Sequence, residues 1–406
     1  MAPGRNDPVQ DRRARVAVSA LFFTNGAVFA NLLPRYPEIK SDLALTNAVY
    51  GAVAAAFPAG ALVAGLAAGV VIRRLGSARA AVGSTVLLAV LLVVAGYAGD
   101  PAVLAVALFL GGACDAVTDV AQNAHGLRVQ QRYGRSIINS LHAVWAAGAI
   151  LGGLMGAGAI ALHIDRGTHL AISAALFAAV ALTAYPFLLP GPDRVEDGTR
   201  ETGTASRAGP AVYAVLAALI AMAIAGAVIE DAGSTWATLY MRDGVGAPGA
   251  VAVLGYVALM GAMFIGRLTG DRLVDRFGER AVTLSGGLVI AAGMGAALAF
   301  PSVPGTIAGF AAVGLGVATL VPAAMHGADR LPGLRPGNGL TAVAWLMRIG
   351  FVGSPPVVGL IADAAGLRAG LLLVPAAGLL VALLACFPGV LSGAVTSSGK
   401  GRPFRS

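Results

Sequence analysis

Apolar runs of about 20 residues follow one another along almost the whole chain, separated by short polar breaks. A helix rises about 1.5 Å per residue, so each run spans the roughly 30 Å hydrocarbon layer of a bilayer. Lipid offers no partner to a free backbone polar group, so only helices or closed barrels cross it, and runs of this length select helices. Twelve segments are predicted, near 15–35, 47–72, 79–98, 101–127, 137–161, 168–190, 210–241, 249–272, 280–300, 304–328, 338–363 and 367–391. The expected fold class is an all-α membrane protein. Composition agrees, with 57% hydrophobic and 12% charged residues among 406, where a soluble domain carries about 25% charged. The 56 glycines are roughly twice the usual share and suit close helix packing in lipid. Arg5, Arg12, Arg13 and Arg15 before the first run imitate a signal peptide. Further runs follow at once, so an uncleaved first membrane helix is expected.

The net charge of +8 falls in short clusters between the runs, which speaks for membrane topology and against nucleic-acid binding. Arginines gather in alternate loops: Arg73, Arg74 and Arg79; Arg128, Arg132 and Arg135; Arg194, Arg200 and Arg207; Arg272, Arg276 and Arg280; Arg330 and Arg335. The tail adds Lys400, Arg402 and Arg405. This places both termini in the cytoplasm, which an even number of spans permits. Cys114 and Cys386 lie in apolar runs and support neither a disulfide framework nor a metal site.

The two halves repeat one another. His125-Gly126 and His326-Gly327 lie about 200 residues apart, as do Trp145 and Trp345. GLAAGVVIRRLGSAR (65–79) is echoed by GRLTGDRLVDRFGER (266–280). The expected organisation is a six-helix bundle over 1–190, a linker over 191–209, and a second bundle with a short tail over 210–406. Transporters are commonly duplicated in this way, with the site between the halves.

The segment GRLTGDRLVDRFGER resembles the loop signature of the major facilitator superfamily. Gly270, Asp271, Arg272, Arg276, Gly278 and Arg280 fit it with small shifts, while the first-half copy keeps Gly69, Arg74, Gly76 and Arg79 and lacks the aspartate. The resemblance implies twelve helices as two pseudo-symmetric six-helix bundles. It also implies a cytoplasmic gating role for this loop, with Asp271 and Arg276 pairing with neighbouring helix ends. LPRYPEIKSDLALTNAVYGA (33–52), 119–153, EDAGSTWATLYMRD (230–243) and RIGFVGSPPVVGLIAD (348–363) resemble a bacterial branch related to the fucose permease. That kinship implies a proton-coupled carrier whose cavity is lined mainly by helices one, four, seven and ten. Drug exporters of the superfamily carry a Gly-Pro pair in helix five, and AILGGLMG here has no proline.

Polar residues inside the spans are the site candidates, because each is costly in lipid. Asp115 and Asp119 in GGACDAVTDVAQNAHG (111–126) are four apart and share one helix face, which Asn123 continues. Two carboxylates there cost roughly 5–7 kcal/mol if additive, so they must face water or partners. They form a proton or substrate site, or else pair with an arginine to fix helix packing. Asp119, nearer the cytoplasmic end, is the expected gating residue of the two. His142 either relays protons or packs. Arg348 either pairs with Asp115 or Asp119 across the halves, binds an anionic solute group, or sits in a static pair. Glu230, placed near the outer end by helix rise, and Trp236 form an outer vestibule, or Trp236 is an interfacial aromatic. Asn25 and Asn31 contact the solute or pack. Gly148, Gly152 and Gly156 make a small-residue face suited to sliding between halves. The five histidines are scattered and none is paired four apart, which speaks against a metal site.

The reading is a secondary active transporter of the bacterial inner membrane, moving a small polar solute by alternating access. Its partners are that solute and the bilayer, with no cofactor, H+ as the driving ion, and action as a monomer. An exporter of the same fold and a non-transporting membrane sensor are the alternatives. No nucleophile–base pair supports an enzyme.

Overall fold

The computed structural model describes residues 8–133, 137–191, 209–335, 337–387 and 389–391. The predicted linker, apart from Gly191 and Gly209, and the basic tail lie outside the described residues, as do Arg5, Arg135, Arg194, Arg200 and Arg207. Among the described residues, twelve helical spans are long and apolar enough to cross a membrane. We number them α1 (Val9–Asp42), α2 (Asn47–Leu75), α3 (Ser77–Gly96), α4 (Pro101–Tyr133), α5 (Ile138–Ala161) and α6 (Arg166–Phe187) in the first half. The second half holds α7 (Pro210–Gly244), α8 (Gly249–Phe277), α9 (Glu279–Ala299), α10 (Val303–Asp329), α11 (Asn338–Ala365) and α12 (Leu367–Cys386). Several spans are interrupted: α1 passes through a 3-10 turn at Leu33–Arg35, α10 breaks at Ala318 and Thr319, and α11 breaks at Met347.

The halves pack by one rule. In the first, α2 and α3 pack on α4, α3 on α6, and α1 on α5 and α6. Raising each number by six gives the main contacts of the second half. Between halves the pairs are α2 with α11 and α5 with α8, again exchanged by the same shift. Glycine makes these approaches close, because only a missing Cβ lets one backbone rest on another. A Cβ at Gly60 would strike Phe109 O, and one at Gly112 would strike Phe57 O, at the α2–α4 contact. Gly314 against Leu259 O does the same between α10 and α8. Turns repeat as well. Gly76 between α2 and α3 has φ 83° and ψ 151°, and Gly278 between α8 and α9 has φ 82° and ψ 153°. A side chain at either would be strained.

Two expectations change here. Gly148, Gly152 and Gly156 pack against Phe23, Ala27 and Pro34 of α1, inside the first half. The glycine of that helix at the interface between halves is Gly153, where an added Cβ would meet Tyr256 of α8 at 2.7 Å. A three-residue small stripe does not say which neighbour it serves, and helix rotation turns it inward. The repeated dipeptides occupy unlike surroundings: His125 is fully buried, whereas the His326 side chain is 68% exposed beside Glu279.

Candidate solute cavity

The halves enclose a cavity of about 450 Å³. Asn25, Asp115, Asp119, His142 and Trp145 line it from the first half, and Glu230, Asp231, Arg267 and Arg348 from the second. Phe29, Tyr36, Phe57 and Phe351 supply aromatic walls. Asp115 and Asp119 reach it together because a four-residue step on α4 returns to the same face.

Asn25 organises the first-half wall. Its Nδ2 donates to Asp115 Oδ1 at 2.7 Å, while its Oδ1 accepts from Trp145 Nε1 at 2.9 Å and from Gln122 Nε2 at 3.1 Å. Three helices are thereby tied to one amide, whose orientation the bonds determine. Asn123 continues the face in a lesser way. Its Nδ2 donates to Asp119 Oδ1 at 3.0 Å and to Asp119 O at 2.9 Å, and Asn123 is not among the lining residues. His142 does reach the cavity and meets Phe22 edge-on at 5.4 Å.

The second-half wall corrects two expectations and narrows a third. Glu230 sits in the central cavity, not near the outer end. Its α7 span runs 35 residues, about 52 Å, so a rise of about 30 Å from the start is only a little past its middle. Trp236 is fully buried and does not line the cavity. It packs edge-on against Tyr50 at 4.8 Å, and its Nε1 has no hydrogen-bond partner among the described residues. Six residues at about 100° each turn it about 120° away from Glu230, toward α2 rather than the solute. Arg348 lines the cavity opposite the α4 acids, but among the described residues it pairs with neither. Its Nη1 donates to Ala61 O of α2 at 3.3 Å. Glu230 lies 3.8 Å from Arg267 Nη2. The adjacent Asp231 borders the same space and is 8% exposed.

The helix set also differs from the one the resemblance implied. Helices one, four and seven contribute, joined by α2, α5, α8 and α11, and no lining residue comes from α10. Glycines seat α10 on α9 instead: a Cβ at Gly309 would meet Gly293 O at 3.2 Å, and one at Gly316 would meet Gly286 O at 2.5 Å. Just after the interruption at Met347, Arg348 and Phe351 of α11 line the cavity. Sequence reading missed Arg267 as a cavity residue, although it is a lone charge within the apolar run of α8. It noted Trp145 only as a repeat marker.

The gating loop shows less than expected. Asp271, Arg272 and Arg276 are exposed, and among the described residues none forms an ion pair. Arg276 instead lies 5.3 Å from the centre of the Phe277 ring. Gly270 packs on Thr319, and Arg74 is exposed at the end of α2 beside the Gly76 turn. The charges that do meet nearby are Glu279 with Arg330 at 3.7 Å and with His326 at 3.9 Å.

Other polar residues are structural. His125 Nε2 accepts from Leu189 N at 3.1 Å, so Nδ1 carries the proton and donates to Ser77 Oγ at 2.9 Å. Asn31 is fully buried and holds His169 and Ser173 at 3.0 Å each. Its packing alternative therefore holds.

Apart from the Arg348–Ala61 bond at the cavity, the hydrogen bonds described between the halves gather beyond the cavity at one end. Asp363 at the end of α11 accepts from Asn47 N and Ala48 N at the start of α2, both at 2.8 Å. Tyr50 donates to Thr235 O at 2.7 Å, and Arg242 to Ser41 Oγ at 3.0 Å. Backbones also touch there, Gly51 against Pro355 O and Gly359 against Asn47 O.

The sequence profile described as Major Facilitator Superfamily matches residues 18–326. The chain belongs to the Major Facilitator Superfamily. It is 32% identical to the membrane protein MosC of Rhizobium meliloti over 91% of this chain and 89% of that one. It is 29% identical to the uncharacterized transporter y4wD of Sinorhizobium fredii, over 91% and 96% of the two chains. Among solved structures, the nucleoside transporter NupG superposes with a TM-score of 0.73 at 13% identity, covering 92% of this chain and 97% of that one. A bacterial homologue of the lysosomal transporter Spinster, inward-facing and occupied, gives 0.72 at 14%, covering 91% and 95%. The permease FucP in the outward conformation gives 0.58 at 19%, covering 91% and 97%. The superfamily member described here is thus a multi-pass membrane protein with a transporter fold, and relatives such as y4wD are named as transporters, not enzymes.

Proposed function

We propose that the chain is a proton-coupled carrier that moves a small polar solute across the bacterial plasma membrane by alternating access. The observation that carries this reading is the cavity between the halves, with Asp115 and Asp119 on one wall and Glu230, Asp231 and Arg348 on the other. A buried carboxylate in a low-dielectric wall is suited to take and release a proton as its surroundings change. Asn25 stands ready to keep its bond to Asp115 through that exchange, since Asp115 can serve as acceptor in either state.

The arginine-rich loops favour both termini in the cytoplasm. On that orientation, Asn47 and Asp363 lie at the outer face, so the joined end is closed to the outside and the cavity opens toward the cytoplasm. The opposite state requires the Asp363 bonds and the Gly51 and Gly359 contacts to part. Proton or solute binding shifts that balance only through unequal affinity for the two states. The cavity is complete within one chain, which supports action as a monomer.

The test is flux in sealed proteoliposomes with a pH-sensitive dye inside and pools of sugars, nucleosides, amines and acids added in turn. A solute-dependent pH change is expected in the wild type, reduced at least tenfold in Asp115→Asn or Asp119→Asn. Wild-type coupling in both variants would overturn the assignment. Solute binding without flux would favour a sensor.

A further inference from the structure

We infer that the transported solute carries a protonated amine and that Asp231 is its anchor, a reading that rests on the transporter function proposed above. Four carboxylic acids line the cavity against two guanidinium groups, with no lysine. Three of the acids have partners. Asp115 accepts from Asn25, Asp119 accepts from Asn123, and Glu230 faces Arg267. Asp231 differs. Only 8% of it is exposed, its Oδ1 accepts a long 3.4 Å bond from Thr235 Oγ1, and its Oδ2 has no partner among the described residues. The Ser354 hydroxyl of α11 is within reach of the Asp231 carboxyl and also lies 3.4 Å from Val228 O, so it is shared between two acceptors. A buried polar atom without a partner is costly, and a carboxylate oxygen accepts and never donates. An ionised Asp231 therefore lacks a donor, and the residue lines the cavity; Oδ2 itself is covered here, so a turn of the carboxyl group is what presents it to a solute.

The surroundings select among donors. Tyr36 and Phe351 border the same cavity, and aromatic faces attract an ammonium within about 6 Å of the ring centre. The two guanidinium groups that would repel a cation are turned to other acceptors, Arg267 to Glu230 and Arg348 to Ala61 O. An anionic solute would face four acids. A neutral polyol would give Asp231 ordinary hydrogen bonds and no charge partner. An ammonium group supplies both the hydrogen and the charge.

The experiment is thermal unfolding of the full chain in lipid nanodiscs with three probe pools at equal concentration: amino sugars with aliphatic amines, neutral sugars, and sugar acids. The amine pool alone is expected to raise the midpoint. N-acetylated forms of the same amino sugars, which carry no charge, are expected to lose the shift on the wild-type protein, so the result does not depend on any variant folding. Asp231→Asn is expected to weaken the apparent affinity for the active amine at least tenfold. Stabilisation by the neutral or acid pool instead, by the acetylated forms equally, or by no pool would overturn the inference. So would an amine shift that survives Asp231→Asn. Proton-linked flux of a neutral solute would overturn the amine and leave the transporter reading standing. Amine binding without flux would do the reverse.

Discussion

Asn25 is the residue on which the first-half wall depends. It joins α1 to α4 and α5 through three side-chain bonds. Asn25→Ala leaves the Trp145 N–H and the Gln122 amide without an acceptor, and each orphaned buried group costs about 1–3 kcal/mol. A lower unfolding midpoint in detergent and a loss of solute flux are expected together. Trp236 makes the opposite case. Its Nε1 already has no partner among the described residues, so Trp236→Phe removes no hydrogen bond, and flux and solute preference should stay near wild type. Trp236→Ala opens a cavity beside Tyr50 and should cost about 3–5 kcal/mol. Had Trp236 stacked on the solute, Trp236→Phe would change apparent affinity. The α4 acids were legible in the sequence because two carboxylates at a four-residue step in an apolar run must turn together toward water or a partner. The place of Trp236 was not, because its direction depends on where α7 sits in the membrane, and that span is far longer than the bilayer is thick.

At the scale of elements, runs of 20 apolar residues announce spans in any sequence, so all twelve were readable. Their interruptions were readable only in part. Pro322 has no N–H to give Ala318 O and so signals the break at Ala318 and Thr319, whereas nothing comparable marks Met347. The closed end rests on glycine. Gly359→Leu would press a side chain into Asn47 O of α2, and because backbones cannot yield there, the closed end should open. A cysteine placed beside the seal should then react faster with an impermeant thiol reagent from outside. Helix ends carry the pH dependence that lies outside the membrane. Asp165 caps α6, accepting from Thr168 N at 3.1 Å, and that bond holds its carboxyl below the usual carboxylate range. A depressed folded value means the stabilisation is present above the ordinary carboxylate range and fades as pH falls through the folded value. Asp165→Ala should therefore lower the unfolding midpoint at pH 7, and the gap from wild type should narrow in acid.

For the whole molecule, the pseudo-symmetry explains how one cavity gains two doors. The interface pairs α2 with α11 and α5 with α8, and a shift of six exchanges them. Two similar halves rocking about a central site can close either end with equivalent surfaces. The duplication was readable from repeats some 200 residues apart. The unequal environments of His125 and His326 show that the repeat governs position and not role. The most direct test of the account is a pair of spin-label distances in nanodiscs, with Cys114 and Cys386 replaced by serine. Labels at the exposed Leu162 and Phe300 report the joined end, and labels at the exposed Leu75 and Phe277 report the opposite end. As pH moves between 5 and 8, the account predicts that one distance lengthens as the other shortens, and that Asp115→Asn with Asp119→Asn removes the response. Two distances that ignore pH, or that move together, would contradict it.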